Sequence, residues 1–519
     1  MESSASDKLG RDQLLALGAM ALAVFVIAND VTSLSVALPQ IEKDFDSDLG
    51  TVQWVINAYA LVFGVFMITG GRLADMFGRR RMFFVGCAVF VGFSLLAAVA
   101  PNDIWLIVSR ALMGLGGALM WPATLAMTFN LLPASKAGLA GGLIIGAAGF
   151  GNAAGPLIGG LLTDAVSWRA ILVLNLPVAA IACFACLRLV TESRDENTTR
   201  TIDYAGIATL TTALIALLLA LDQVTLWGWT DARILGLFGL CVVLLVAFVV
   251  RERRAGDAAL VPRDVMANVQ FRAVCLVTLL ISTTFFAALM FIPQFQQKIL
   301  GFTPLEAGLG LLPFMGTFAA TSFVAGRFYE RLGPKVIVTA GAACMCLGGL
   351  GISLIGRDSG VGALVPGMLV LGAGTGLFYS SVTTAGVTAL DPARSGLAGG
   401  IVYMFQVAGG SIGLGLTTAI FTTASQDTLQ KDAIGLSDPQ AEAADGLLAG
   451  TETAARVGRD FSAEAADRLQ ELVRQAFVDG MHWGFRFAAA MALISVVVSA
   501  LLVGGPWTRR SSDQPDALT

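Results

Sequence analysis

Fourteen apolar runs of bilayer-spanning length leave this chain little choice of fold. The first covers 12–38 and the last 484–504, with polar turns between most of them. About 20 apolar residues in a helix cross the ~30 Å hydrocarbon core of a bilayer. Lipid is the solvent such segments need. Charged residues make up only 13% of the 519, half the ~25% of a soluble domain. The 59 glycines fit the same picture, since small residues let membrane helices pack backbone to backbone. The fold expected is all-α and integral to the membrane, with 14 transmembrane helices. Residues Met1 to Arg11 are polar, and the apolar run after them is too long for a cleavable signal. It reads as a retained first helix.

An even number of crossings puts both termini on one side. Arg72, Arg79, Arg80 and Arg81 share one loop, and Arg251, Arg253, Arg254, Arg263 and Arg272 flank another on the same side. The positive-inside rule makes that side, and both termini, cytoplasmic. Two stretches are too polar for lipid: a linker over 189–203 and an acid-rich outer loop over 424–483. Within the latter, Ser462–Phe477 has the composition of a short helix.

Several functions are excluded early. A net charge of -4 offers nothing to nucleic acid. His482 is the sole histidine, which argues against a catalytic or metal centre, and hence against an enzyme. All seven cysteines lie in apolar runs, where they read as small buried residues; Cys183-x-x-Cys186 has only apolar neighbours. No G-x-x-x-x-G-K occurs, so no ATP site supplies energy. No cofactor is expected, and an ion gradient is left as the driving force.

The chain repeats itself. GLAGG stands at 138–142 and at 396–400, and GRLADMFGRR at 71–80 is answered by GRFYERLGPK at 326–335. Gly114 and Gly116 pair with Gly372 and Gly374 in the same register. Two six-helix halves follow, 12–188 and 273–504, the second including the 424–483 loop. Between them 189–272 adds a linker and two inserted helices, and 505–519 is a cytoplasmic tail. Parallel halves around a central site suit alternating access.

Ionisable groups inside apolar runs are costly and mark function by default. Asp30, in Asn29-Asp30-Val31-Thr32, must be paired, hydrated or protonated, and burial favours its protonated form. Arg110, opening Arg110-x-x-x-Gly114-x-Gly116, must face a cavity or a carboxylate; Asp30 and Asp75 are both possible partners. In the 71–80 loop, Gly71 and Gly78 allow a tight turn, Asp75 can pair with a base or a helix N-terminus, and Arg79 and Arg80 anchor the loop at the surface. In Gly151-x-x-x-Gly155-Pro156-x-x-Gly159-Gly160, Pro156 removes a backbone donor and the glycines make a flat face, expected to meet the other half.

Taken with Trp54-Val55-x-x-x-Tyr59, Trp168-Arg169, Asn175-x-Pro177, Phe291–Gln296 and Leu300–Gly308, these motifs resemble the fourteen-helix drug:proton antiporters of the major facilitator superfamily. The resemblance covers nearly the whole chain. It implies the major facilitator fold in a bacterial inner membrane, with helices arranged 6+2+6. It assigns proton coupling to Asp30 with help from Arg110, a gating latch to the 71–80 loop, and an antiporter seal to 151–160. Asn29 and Met113 depart from the usual pattern, whereas Leu414, standing in the second half where the first has Pro156, is the asymmetry such antiporters show. The function expected is proton-coupled efflux of amphipathic, often cationic, drugs by a monomer. The partners are a small amphipathic substrate, protons and the lipid bilayer. The alternative is a dedicated exporter of an endogenous metabolite, lipid or siderophore on the same scaffold. Candidate substrate contacts are Asn29, Tyr59, Trp121, Phe285, Phe286, Met290, Tyr379, Tyr403, Met404 and Gln406, because Met and aromatic surfaces adapt to varied apolar ligands.

Overall fold

The computed structural model describes residues 10–47, 49–194, 203–255, 259, 265, 267–357, 359–432, 439–440, 443–444 and 461–504. These form helices and turns, with no strand among them. The helices are α1 (Arg11–Phe45), α2 (Leu49–Phe77), α3 (Arg79–Ala98), α4 (Asp103–Leu131), α5 (Ala137–Ala165), α6 (Arg169–Leu189), α7 (Tyr204–Trp227) and α8 (Ala232–Ala255). They continue as α9 (Val269–Lys298), α10 (Pro304–Gly310), α11 (Leu312–Ile352), α12 (Val361–Thr388), α13 (Ser395–Asp432) and α14 (Ala463–Leu502).

Thirteen stretches are long and apolar enough to cross a membrane, one of them 48 residues long at Leu305–Ile352. At 1.5 Å per residue that stretch measures about 72 Å, twice the core thickness. Gly333, at φ 79° and ψ 169°, breaks α11 in the middle. The stretch is therefore two crossings, and the described residues make fourteen. Gly78, at φ 107°, separates α2 from α3 at the matching place in the first repeat. Both positions need a residue without Cβ.

Side-chain caps fix the helix starts. Asn102 accepts the Trp105 amide at 2.8 Å, Asp203 accepts Gly206 at 2.9 Å and Asn268 accepts Phe271 at 3.0 Å. Helices α1 to α6 pack together, as do α9 to α14, and α2–α13 and α5–α11 join the two sets. α8 leans on α7 and exposes Val242, Val243 and Val246. Such bare apolar faces are suited to lipid.

The acid-rich segment differs from the sequence expectation. Residues 424–432 continue α13, and Ser462–Phe477 is no separate helix but the start of α14. The two extensions hold each other up. Phe477 meets Phe421 edge-on at 5.1 Å, and Thr428 donates to Asp479 at 3.1 Å. That packing supplies the support a solvated helix end lacks. The middle of the segment, and the tail 505–519, lie outside the described residues.

At the face opposite Gly78, Asp44 ties α1 to α6. It accepts from Trp168 Nε1 at 2.8 Å, Arg169 Nη1 at 3.1 Å and Gln40 at 2.9 Å. The Trp168 bond, with those from Gln40 and Arg169, holds its carboxyl below the usual range against the opposing effect of partial burial. A carboxyl depressed in the folded state contributes stability above its unfolded pKa, near ~3.9, and loses it as pH falls through the folded value. Asp44→Asn is therefore expected to lower Tm at pH 7 and to approach the parent as acidification protonates the folded-state carboxyl. Thermal unfolding in detergent from pH 7 downward checks it; a Tm difference constant with pH overturns it.

Candidate transport site

The centre of the first half holds one ion pair, sealed from solvent. Asp30 on α1 and Arg110 on α4 are both fully buried, and Arg110 Nη1 donates to Asp30 Oδ2. Arg110 Nε donates to the Val55 carbonyl at 3.0 Å, and Nη1 also reaches Met113 Sδ at 3.3 Å. The guanidinium lies 4.4 Å from the Tyr59 ring centroid, a cation–π contact that gains strength from desolvation. Nη2 has no protein acceptor. The other carboxylate oxygen of Asp30 accepts from Asn175 Nδ2 at 2.8 Å; Asn175 also reaches Ser94 Oγ at 3.0 Å, and Ser94 donates to the Leu172 carbonyl at 2.8 Å. The two partners left open for Arg110 thus resolve to Asp30. Sequence reasoning gave Asn175 no role beyond a family marker, and it missed Ser94 and Val55. Ser94 carried no signal, being one hydroxyl in an apolar run.

The sequence suggested that the glycines of the 151–160 motif meet the other half, but Gly151, Gly155 and Gly159 do not. A methyl group at Gly151 would lie 2.7 Å from the Phe25 carbonyl, one at Gly155 would collide with the Thr32 side chain, and one at Gly159 with the Ser33 carbonyl. All three neighbours are on α1, in the same half. The glycines bring α5 against the helix that carries Asp30. Only the far end of the motif reaches across: Gly160 faces Leu305, and Pro156 lies against Gly308. The reason is geometric, since Gly151, Gly155 and Gly159 recur every four residues on one stripe, while Pro156 and Gly160 follow the adjacent one.

At the face that carries Gly78, the halves are joined by a buried carboxylate. Asp75 accepts the amides of Gly396 at 3.3 Å and Leu397 at 2.8 Å, at the N-terminus of α13. Unpaired amides at a helix start favour such an anion. Arg79 pairs with Asp75 at 3.0 Å and donates to the carbonyls of Pro392 at 3.1 Å and Ala393 at 2.6 Å. Arg79 is thus buried and bridges the halves, not a surface anchor; Arg80 remains half-exposed and donates to the Leu187 carbonyl at 3.0 Å. A methyl at Gly71 would lie 2.5 Å from the Gly396 carbonyl, and one at Gly326 would lie 2.5 Å from that of Gly138. The repeated motifs therefore pair crosswise, each loop glycine of one half against the GLAGG of the other. Glu192, unnoticed in the sequence, accepts the amides of Arg80 and Arg81 at 3.0 Å each and caps α3.

The candidate substrate contacts divide into groups. Trp121 and Tyr403 meet across the halves at 4.8 Å, with Phe63 against both. Tyr59 is fully buried between Arg110 and Phe63 and forms part of the ion-pair site. Tyr379 packs on Phe285 at 5.5 Å and hydrogen-bonds Ser282 at 2.9 Å; Phe286 packs on the other side of Phe285. Asn29 is buried with Oδ1 unpartnered, and Gln406 and Met404 are half-buried. Met290 is 42% exposed and stands apart from these clusters. A cavity of about 340 Å³ opens between the halves, lined by Thr32, Ser35, Asn152, Pro156, Leu289 and Gln297 among others. None of its polar residues was singled out from sequence. Asn152 passed as an unspecified position inside the glycine motif.

The model of the Major Facilitator Superfamily matches residues 20–414. The tetracenomycin C resistance and export protein of Streptomyces glaucescens is 32% identical over 93% of this chain and 90% of its own. The puromycin resistance protein of Streptomyces alboniger is 32% identical over 78% of this chain and 80% of its own. Multidrug resistance protein Stp of Mycobacterium tuberculosis is 32% identical over 81% and 78%. Among solved structures, the human organic anion transporter MFSD10 superposes with a TM-score of 0.61 over 94% of this chain and 99% of its own, at 12% identity, a likeness of fold.

Proposed function

The chain belongs to the Major Facilitator Superfamily of membrane transporters, and from that footing we propose that it is a proton-driven exporter of amphipathic compounds working by alternating access. The observation that carries the proposal is the Asp30–Arg110 pair, two ionisable groups fully buried in a membrane helix bundle. A carboxylate kept there at a cost of several kcal/mol is suited to take up and release a proton. In the cycle proposed, protonation of Asp30 frees Arg110 from its partner and loosens α1 against α4. The Asp75–Arg79 latch on α13 holds one access state, and its release opens the other. α5 couples the two, since its glycines grip α1 while Pro156 and Gly160 touch the second half. The basic loops support a cytoplasmic side for the latched face and for both termini, and the membrane of this proposal is a bacterial cell membrane. One chain supplies every group this cycle uses, so a monomer suffices.

The export direction is supported by relatives named for resistance, export or multidrug resistance. Two of them are named for single antibiotics, and this favours a second reading, a dedicated exporter of one compound. Proteoliposomes with an imposed pH gradient test both. Extrusion of several amphipathic dyes, collapsing when a protonophore dissipates the gradient, is the expected result. Equal movement with and without the gradient would instead make the protein a passive facilitator. Response to one compound of a broad panel would establish the dedicated exporter.

A further inference from the structure

The charge inventory of the interior bears on which amphipathic compounds this site takes. Among the described residues the buried carboxylates are Asp30, Asp75, Asp203 and Glu252. Asp30 is consumed by Arg110 and Asn175, and Asp75 by Arg79 and the α13 amides. Asp203 pairs with Arg251 at 2.6 Å, and Glu252 is its neighbour on α8, away from the junction of the halves. None lines the cavity between the halves.

What does line it is neutral and polar. Thr32 and Ser35 come from α1, Asn152 from α5 and Gln297 from α9, set among Pro156, Leu289 and other apolar groups. The cavity, at about 340 Å³, has the size of a small-ligand pocket, which runs from ~300 to ~1,000 Å³. Two amides and two hydroxyls can donate and accept hydrogen bonds around an uncharged molecule. The second half continues the pattern. Where the first repeat has Arg110, the second has Met368, and where the first has Trp121 the second has Tyr379, hydrogen-bonded to Ser282. The lining includes no aromatic ring over which a cation could sit. A fixed cation entering this cavity would lose hydration and meet no compensating charge.

We infer that the cavity between α1, α5, α9 and α11 is a substrate subsite for uncharged, hydrogen-bonding amphipathic molecules, oriented by Asn152 and Gln297, and that it discriminates against permanent cations. This rests on the exporter reading above and narrows its substrate class.

Binding tests it separately from transport. The probes are Nile red, which is neutral, and a Nile red derivative carrying a trimethylammonium group, titrated into purified protein in nanodiscs. The wild type is expected to bind the neutral dye at least tenfold more tightly. Gln297→Glu places a carboxylate in the cavity and is expected to erase that preference by improving the cationic dye. Asn152→Asp gives the same readout from the opposite wall, should the first variant fail to fold. Equal affinity of the two dyes for the wild type overturns the inference. So does a preference unchanged in both variants, or no binding of the neutral dye. Neutral-dye binding with the expected preference but no gradient-driven export would defeat the exporter reading alone.

Discussion

Asp30→Asn is expected to reduce gradient-driven export to the rate seen without a gradient while leaving the protein folded. Asparagine is isosteric and keeps one oxygen to accept from Arg110 or Asn175, whose donors reach Asp30 in the parent. It cannot carry a proton in the transport range. Removing one charge of a buried pair leaves the other uncompensated, at a cost of roughly 3–5 kcal/mol. A lower Tm is therefore expected beside the transport loss, and the two must be separated. The double variant Asp30→Asn with Arg110→Gln removes both charges. It should recover much of the Tm and none of the gradient-driven transport. Recovery of transport in the double variant would mean that the pair is structural. Unchanged export in Asp30→Asn would move the proton to another group.

The fold was legible because membrane helices announce themselves by length and hydropathy, and the repeat by three motifs in register. What remained hidden was of a different kind. The apolar periodicity that marks a helix does not say whether it continues into water. That is why the start of α14 was taken for a separate helix; its continuity depends on Phe421 and Asp479, contacts far apart in sequence. The site was legible where charge is rare. Asp30, Asp75 and Arg110 stand out in a lipid-soluble chain, whereas Ser94, Asn152 and Gln297 are ordinary residues that matter only by where the helices bring them. The glycines of α5 were recognised as a packing face, but a stripe names no partner. Only the structure assigns it to α1.

The latch yields the second large effect. Asp75→Asn is expected to weaken closure of the Gly78 face, because the carboxylate serves three donors at once: Arg79 and the amides of Gly396 and Leu397. Asparagine removes the charge that both the guanidinium and the start of α13 favour. A loss of ~3 kcal/mol, the lower end for breaking a buried pair, corresponds to roughly a 100-fold shift of the access equilibrium at ~1.4 kcal/mol per tenfold. Hydrogen exchange reads this directly. Peptides spanning 395–400 should exchange up to about 100-fold faster in Asp75→Asn, while the cap of α4 at Asn102, at the opposite face, should exchange as in the parent. The crosswise pairing supplies a control. Gly326→Ala disturbs the equivalent contact with Gly138 without touching Asp75. The residue matching Asp75 in the second repeat is Glu330, which is exposed where Asp75 is buried, so this variant changes a steric contact and leaves the buried carboxylate in place. Gly326→Ala should therefore speed exchange around 138–142 and leave 395–400 slow. Equal acceleration of both segments in both variants would mean that the halves open as one steric unit, with no separate role for the carboxylate.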